Sequence, residues 1–248
     1  TDENGATTTA TLTITVSGSN DAPVARDDTG TVKEDATLTV SDGDNANAVS
    51  AATYVDGFSI SDQEFTPQGF RFNNDGTKMF VVGSNGDDID EYTLSTGFDV
   101  STASFVDSFD ISSQELGARD VAFSDNGLKM FVVGVRGDDV NEYTLSTAFD
   151  VSTASFVDSF DISSQDDSPT GLAFNNDGTK MFVAGNSGND INEYTLSTGF
   201  DVSTASFVDS FSVASQDTTP NGLSFNSDGT KMYVVGNQGN DINEYDLT

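Results

Sequence analysis

The stretch Asn175-Asn176-Asp177-Gly178-Thr179-Lys180-Met181-Phe182-Val183 is the most informative part of this chain, because closely similar stretches occur three more times. The methionines mark the period: Met79, Met130, Met181 and Met232 lie 51 residues apart, each within the pattern K-M-[FY]-V-[VA]-G. Four near-copies of one unit therefore fill residues 53–248. A fixed period of this length indicates stacked or radial units, each too small to bury its apolar face alone.

Each unit predicts four β-strands. In the third copy the strands fall at 171–174, 180–185, 191–196 and 205–211. An Asp-Gly turn, a strong hairpin signal, separates the first two strands, and the last two strands alternate apolar with polar residues. Apolar residues nowhere recur at helical spacing over ten or more positions, so the sequence predicts almost no helix.

Four antiparallel strands repeated at this period predict an all-β fold, a β-propeller of four four-stranded blades. The first repeated stretch, residues 53–60, corresponds to an outer strand, and the last, 241–247, to a third strand. We therefore expect the N-terminal strand to complete the C-terminal blade and to close the ring, which removes exposed strand edges. The alternative is that the four blades form an open arc of a larger ring.

A family resemblance agrees with this architecture. The pattern [NS]-x-D-G-T-K-M-[FY]-V resembles the first hairpin of the blade repeats in bacterial and phage surface propellers, and the resemblance covers residues 53–248. It carries no agreed catalytic motif.

The first 50 residues differ from the repeats. The run A-T-L-T-I-T-V-S-G-S-N-D-A-P-V-A, followed by E-D-A-T-L-T-V, resembles VCBS and cadherin-like repeats of large bacterial surface proteins over residues 1–41. We therefore divide the chain into partial VCBS/cadherin-like strands with a linker, 1–50, and a propeller, 51–248. The resemblance implies calcium ligands at Asn20, Asp21, Asp27 and Asp28. The alternative is an Asx-rich turn with solvated carboxylates.

Composition restricts the partners. The chain has 9 Lys and Arg against 41 Asp and Glu, with a formal charge of −32. This charge disfavours nucleic acid and anionic lipid, because phosphate contacts need basic side chains. Carboxylate oxygens are hard ligands, so divalent cations are the natural partners, although acidity can also serve solubility alone. No apolar stretch is long enough to predict membrane insertion.

The repeated acids define the candidate site. Two loops of each blade are expected to emerge on one face around the axis, and both carry acidic residues. We predict metal ligands on one loop and a ligand face on the other, through which calcium could bind a glycan or a surface protein. The alternative is ordinary Asx turn chemistry. The predicted metal ligands are Asp87, Asp88, Asp138, Asp139, Asp190 and Asp241, and the predicted ligand face is Glu64, Glu115, Asp166 and Asp217.

A second repeated acid is the glutamate that precedes a tyrosine on each third strand. It lies beside an apolar position on a strand expected to be half-exposed, so we expect it to face solvent or to pair with the repeat's lysine. These glutamates are Glu91, Glu142, Glu193 and Glu244.

The functional prediction is a non-catalytic extracellular binding or adhesion module of a large bacterial surface protein, with calcium as a possible cofactor. Near-identical repeats favour symmetric binding, whereas catalysis needs groups that differ from one another. Cysteine and histidine are absent, which excludes Ser-His-Asp and Cys-His arrangements. The alternatives are a structural spacer or interaction scaffold and, with less support, a metal-dependent lactonase-like or glycoside-processing propeller. We expect an extracellular or cell-surface location, as part of a longer secreted protein.

Overall fold

The computed structural model of the chain describes residues 53–247. The chain divides into two compact units, Thr1–Val55 and Asp56–Thr248. Only residues 53–55 of the first unit are described, so the predicted VCBS/cadherin-like strands lie outside the described residues. The same holds for the predicted calcium ligands Asn20, Asp21, Asp27 and Asp28.

The second unit is all-β, and short 3-10 turns are its only helical segments within residues 56–247. Each blade is an antiparallel meander whose strands pair in chain order from the inside outwards. Blade 1 contains β1 Pro67–Phe72, β2 Lys78–Gly83, β3 Asp88–Leu94 and β4 Ala103–Asp110. Blade 2 contains β5 Ala118–Phe123, β6 Lys129–Gly134, β7 Asp139–Leu145 and β8 Ala154–Asp161. Blade 3 contains β9 Pro169–Phe174, β10 Lys180–Gly185, β11 Asp190–Leu196 and β12 Ala205–Ser212. Blade 4 contains β13 Pro220–Phe225, β14 Lys231–Gly236 and β15 Ile242–Asp246.

The first hairpin of each blade shows why the repeated motif folds as it does. In blade 1, Asp75 accepts a hydrogen bond from the Thr77 main-chain nitrogen at 3.0 Å, and Asn73 accepts one from the Lys78 nitrogen at 2.9 Å. Gly76 between them has φ of +71°, a conformation that L side chains rarely adopt. The motif therefore satisfies the turn's backbone groups from its own side chains.

Consecutive blades pack through aromatic and aliphatic side chains. Phe80 of blade 1 lies 4.4 Å, centroid to centroid, from Phe123 of blade 2, and Phe149 packs on both rings. The same arrangement recurs between blades 2 and 3 around Phe131. The inner strands lie side by side in the order β1, β5, β9, β13. The four repeats therefore form radially arranged blades, and the predicted all-β propeller is confirmed.

The fourth blade departs from the other three. Its sheet has three strands, and the N-terminal strand predicted at 53–60 forms no strand and does not pair with β15. Instead, Phe58 of this segment packs edge-on against Tyr92 of blade 1, with ring centroids 5.7 Å apart. Among residues 53–247, blades 1 and 4 share no core cluster.

Candidate functional site

The predicted ligand-face acids are buried. Glu115 has no exposed surface, and its carboxylate accepts hydrogen bonds from the main-chain nitrogens of Arg136 and Gly137 at 3.1 and 3.2 Å. Asp166 and Asp217 bind the equivalent loops of blades 3 and 4 in the same way. These carboxylates therefore anchor the loop between the second and third strands of their own blade.

Glu64 differs from its three counterparts. It is also buried, and its Oε1 accepts from the main-chain nitrogen of Thr66. Its Oε2 is buried without a hydrogen-bond partner within residues 53–247. The first blade thus contains a carboxylate that is less well satisfied than those of the other blades.

Backbone conformation restricts the residue that follows glycine in each Gly-[DN]-Asp turn. Asp87, Asp138, Asn189 and Asn240 all have φ between +52° and +53°. Asn and Asp tolerate this left-handed region better than other non-glycine residues, which explains why either residue occurs there. Burial raises the pKa of Asp138, and the charges of Asp167, Asp161 and Asp166 add to the effect.

The second acid of that turn has a partner in three blades. Asn141 Nδ2 donates to Asp139 Oδ1 at 2.7 Å, and the Asp190–Asn192 and Asp241–Asn243 pairs repeat this bond at 2.9 and 3.0 Å. Burial raises the pKa of both Asp139 and Asp190, while the amide opposes the increase. The amide replaces part of the lost water, so Asp139 and Asp190 are structural parts of their third strands.

Blade 1 breaks this pattern, because Asp90 stands where the other blades have asparagine. Burial raises the pKa of Asp90 to about 7, and the charges of Asp88 and Glu64 contribute to the increase. Burial also raises the pKa of Asp88, with contributions from Glu64 and Asp110. Two buried acids, Glu64 and Asp90, and the half-buried Asp88 are therefore close enough in blade 1 for the charge of Glu64 to raise the pKa of both aspartates, without an amide between Asp88 and Asp90.

The predicted metal ligands do not converge on one ion site in the part of the chain that the structure describes. Within residues 53–247, no group of three or more acidic side chains has an arrangement that could hold a metal ion. The predicted residues Asp87, Asp88, Asp138, Asp139, Asp190 and Asp241 lie at equivalent places in four separate blades. Calcium binding stays a prediction.

The glutamates of the third strands link neighbouring blades. Glu91 is buried, and its Oε1 binds Lys78 Nζ at 2.6 Å, while its Oε2 accepts from the Val151 nitrogen of blade 2 at 2.9 Å. Lys78 also donates to the Phe149 carbonyl at 2.6 Å. The expected pairing with lysine is present, but Glu91 does not face solvent, because a loop of the next blade covers it.

The same lysine–glutamate link joins blades 2 and 3. In blades 3 and 4 the ion pair is present but no following loop covers it within the described residues. Lys129 binds Glu142 at 2.7 Å and the Phe200 carbonyl at 2.5 Å, and Glu142 accepts from the Val202 nitrogen. The side chains of Glu193 and Glu244 are 30% and 53% exposed, because the part of the chain that the structure describes contains no covering loop for them.

Sequence reasoning missed one pair near the axis. Asp120 on β5 is buried, accepts from Arg71 Nη2 of blade 1 at 2.7 Å and accepts from the Leu172 nitrogen of blade 3 at 3.0 Å. The other copies have glycine at this position. The deviation of the second copy from the repeat was therefore the signal that could have identified a residue joining three blades.

The outer strands present the exposed apolar residues of the repeat. Each contains the sequence Ala-Ser-Phe-Val-Asp-Ser-Phe, and its valine lies at a β-bulge opposite the third strand. Val106, Val157 and Val208 are 50–51% exposed, and the preceding phenylalanines are 41–43% exposed. We call the six residues Phe105, Val106, Phe156, Val157, Phe207 and Val208 the rim. A bulge interrupts the regular hydrogen-bonding edge of the strand and so opposes pairing with the edge of another sheet. The rim side chains therefore stay available for other contacts.

No protein-family model matches the sequence, and no curated protein matches it significantly. Solved structures do resemble the fold. A candidate 6-phosphogluconolactonase of Bacteroides uniformis aligns with a TM-score of 0.54 at 14% identity, over 76% of this chain and 53% of its own. One from Bacteroides fragilis aligns with a TM-score of 0.54 at 12% identity, over 73% and 50%. The hydrazine synthase of Kuenenia stuttgartiensis aligns with a TM-score of 0.52 at 15% identity, over 79% and 50%.

These likenesses show the propeller fold alone, because all the identities are low. The chain spans about half the length of the structures it matches. In residues 53–247, no helix is long and apolar enough to cross a membrane.

Proposed function

We propose that this chain is a non-catalytic binding module whose rim recognises a partner at several equivalent points. The observation that carries the proposal is the rim: one half-exposed Phe-Val pair per complete blade, in three nearly identical environments. Equivalent sites on one rigid body increase avidity when a surface presents repeated ligands. A glycan or a protein displayed on a cell surface is such a partner, and the extracellular location predicted from the sequence belongs to this proposal.

The buried carboxylates support a binding role over a catalytic one. Main-chain nitrogens of the same blade donate hydrogen bonds to the carboxylates of Glu115, Asp166 and Asp217. A main-chain nitrogen of the next blade donates one to Glu142. A general acid or base must reach a substrate proton, and these groups are occupied with loop and blade contacts. In this proposal the acids hold the blades, and the rim makes the contact.

Retention on a displayed surface tests the proposal. Beads that carry the 248-residue chain are applied to an array of defined glycans and to bacterial cells in a flow chamber. Val→Ser substitutions are introduced at one, two and three of Val106, Val157 and Val208. We expect retention to fall more steeply than in proportion to the number of sites lost, because avidity is multiplicative.

The matched control is Leu128→Thr. Leu128 is 42% exposed in a hairpin turn away from the rim, and the other three copies have threonine there. It should leave retention unchanged. Equal retention of the triple variant and the unaltered chain would contradict the rim proposal, whereas inertness of both would support the spacer alternative.

The catalytic alternative has its own test. Two of the structural neighbours are named as candidate 6-phosphogluconolactonases. The unaltered chain is incubated with 6-phosphogluconolactone, with and without calcium, and hydrolysis is compared with the spontaneous rate. We expect no acceleration; acceleration that survives repurification would show an enzyme.

A further inference from the structure

Each rim valine is followed directly by an aspartate. We call Asp107, Asp158 and Asp209 the rim aspartates, and all three are exposed. The Oδ1 atom of each accepts a hydrogen bond from the main-chain nitrogen of the next residue, at 2.8–2.9 Å. Their Oδ2 atoms accept no hydrogen bond from residues 53–247. An exposed carboxylate with one free oxygen therefore adjoins each Phe-Val pair.

The charges of the rim aspartates do not stabilise their own sheets. Each rim aspartate lies opposite the repeated glutamate of the neighbouring third strand. The opposed pairs are Asp107–Glu91, Asp158–Glu142 and Asp209–Glu193. Like charges directly opposite each other on neighbouring strands destabilise the pairing. The lysine that binds the glutamate belongs to the second strand, on the other side of the third strand from the aspartate.

The basic side chains are engaged elsewhere. The outer strands β4, β8 and β12 contain no lysine or arginine. The lysine of each repeat pairs with the glutamate of its own blade, and Arg71 pairs with Asp120 near the axis. Among the described residues, no ion pair includes a rim aspartate. The rim thus combines half-exposed apolar side chains with carboxylates that lack a counter-charge there.

We propose that the partner of the rim is a basic polypeptide. Its lysine or arginine side chains bind the rim aspartates, and its apolar side chains contact the Phe-Val pairs. This inference rests on the proposed function and selects one of the two kinds of partner that the proposed function allows. Charge complementarity carries it, because ammonium and guanidinium groups form charge-assisted hydrogen bonds with free carboxylate oxygens. Most glycans carry no positive charge, and the formal charge of −32 on this chain repels acidic ones.

Fluorescence anisotropy of labelled synthetic peptides tests the inference. The probe is Lys-Phe-Gly repeated six times, and two matched peptides replace every lysine by glutamine or every phenylalanine by serine. In sodium chloride of about 150 mM, we expect the 248-residue chain to bind the probe at least about 10-fold more tightly than either matched peptide, because the binding needs both kinds of contact. Equal affinity for the glutamine peptide would overturn the inference.

Asparagine at the rim aspartates removes the charge and keeps a main-chain acceptor. The triple variant Asp107→Asn, Asp158→Asn, Asp209→Asn should weaken binding of the probe about 10-fold, and by less in sodium chloride of about 500 mM, since salt screens exposed ion pairs. Its matched control is the triple variant Asp75→Asn, Asp177→Asn, Asp228→Asn. These exposed residues lie in the first hairpins, and the control should weaken binding less than about 2-fold. Equal losses for the two variants would show attraction by net charge alone and overturn the inference.

Failure of this inference is distinguishable from failure of the proposed function. The triple variant Val106→Ser, Val157→Ser, Val208→Ser removes the apolar contact and tests the rim itself. It is compared with the rim asparagine variant for retention on the glycan array and on cells. Loss of retention for the serine variant alone would overturn only the basic partner. Full retention of both variants would overturn the rim proposal as well.

Discussion

Glu142 of blade 2 accepts a hydrogen bond from the main-chain nitrogen of Val202 in blade 3, 60 residues further along the chain, at 2.9 Å. The second oxygen of the same carboxylate binds Lys129, which itself donates to the Phe200 carbonyl. A single buried carboxylate thus connects a strand, its neighbour and the next blade. Repetition of this link explains how units that cannot fold alone are joined in a fixed order.

The first prediction concerns this link. Glu142→Gln should lower the free energy of unfolding by about 2–4 kcal/mol, because it leaves a partly buried lysine without its counter-charge. Glu244→Gln changes the same position of the repeat in blade 4, where the side chain is 53% exposed, and should cost less than about 1 kcal/mol. Urea unfolding followed by circular dichroism measures both. Equal losses would contradict the interblade role.

The second prediction concerns the acids of blade 1. Burial raises the pKa of Asp90 from its ordinary value of 3.8 to about 7, so its ionisation destabilises the fold progressively as the pH rises from about 4 to 7. Asp90→Asn removes this cost and restores the amide found in the other blades. We expect a gain of about 1–2 kcal/mol at pH 8, after allowance for solvent screening, and none at pH 3.5.

The reverse change supplies the control for that prediction. Asn141→Asp creates in blade 2 the same pair of acids, and it should destabilise the protein above pH 7 more than at pH 4. Thermal unfolding between pH 3.5 and 8 follows both variants. A gain for Asp90→Asn that did not depend on pH would refute the electrostatic explanation.

The third prediction separates backbone strain from packing. Gly127 and Gly229 have φ of +67° and +71°, so alanine is strained at both positions by about 1 kcal/mol. A Cβ at Gly127 would also collide with the ring of Phe149, whereas nothing lies within 4 Å of one at Gly229. Gly127→Ala should therefore cost about 2 kcal/mol more than Gly229→Ala in urea unfolding. Similar costs would show that the phenylalanine does not pack there.

The fourth prediction concerns the pair near the axis. Asp120→Asn should destabilise the protein by about 2–4 kcal/mol, because Arg71 loses its partner and the buried acceptor for Leu172 is weakened. The double variant with Arg71→Gln should cost less than the two single changes combined, since both remove one interaction. Strictly additive losses in a double-mutant cycle would argue against direct coupling.

Much of the fold was predictable from the sequence. The strand pattern, the Asp-Gly hairpins and the 51-residue period all depend on local backbone preferences and repetition, which a sequence displays directly. The failure of residues 53–60 to pair with β15 in the described part of the chain was not predictable in this way. Residues 53–60 can pair with β15 only if the first and the last blade are adjacent. Their adjacency depends on the rotation between consecutive blades, and no single residue of the repeat determines that rotation.

The candidate site was harder to predict. The sequence shows the recurrence of acids at Glu64, Glu115, Asp166 and Asp217. The same recurrence is expected when the four acids share one ligand and when each acid makes a hydrogen bond within its own blade. Only the positions of the Arg136 and Gly137 nitrogens show that Glu115 is occupied within its own blade. The departures from the repeat, Asp90 and Asp120, were more informative than the repeated residues.

The central claim is that the buried acids Glu115, Asp166 and Asp217 serve the fold, because they accept main-chain hydrogen bonds from loops of their own blades. Thermal unfolding of the unaltered chain and of Glu115→Gln, each with 5 mM calcium and with a chelator, tests this claim most directly. We expect the variant to lose about 1–3 kcal/mol of stability equally in both conditions, since a buried main-chain donor loses its acceptor whether or not calcium is present. Stabilisation of the unaltered chain by calcium that Glu115→Gln abolishes, with no loss in chelator, would contradict the account.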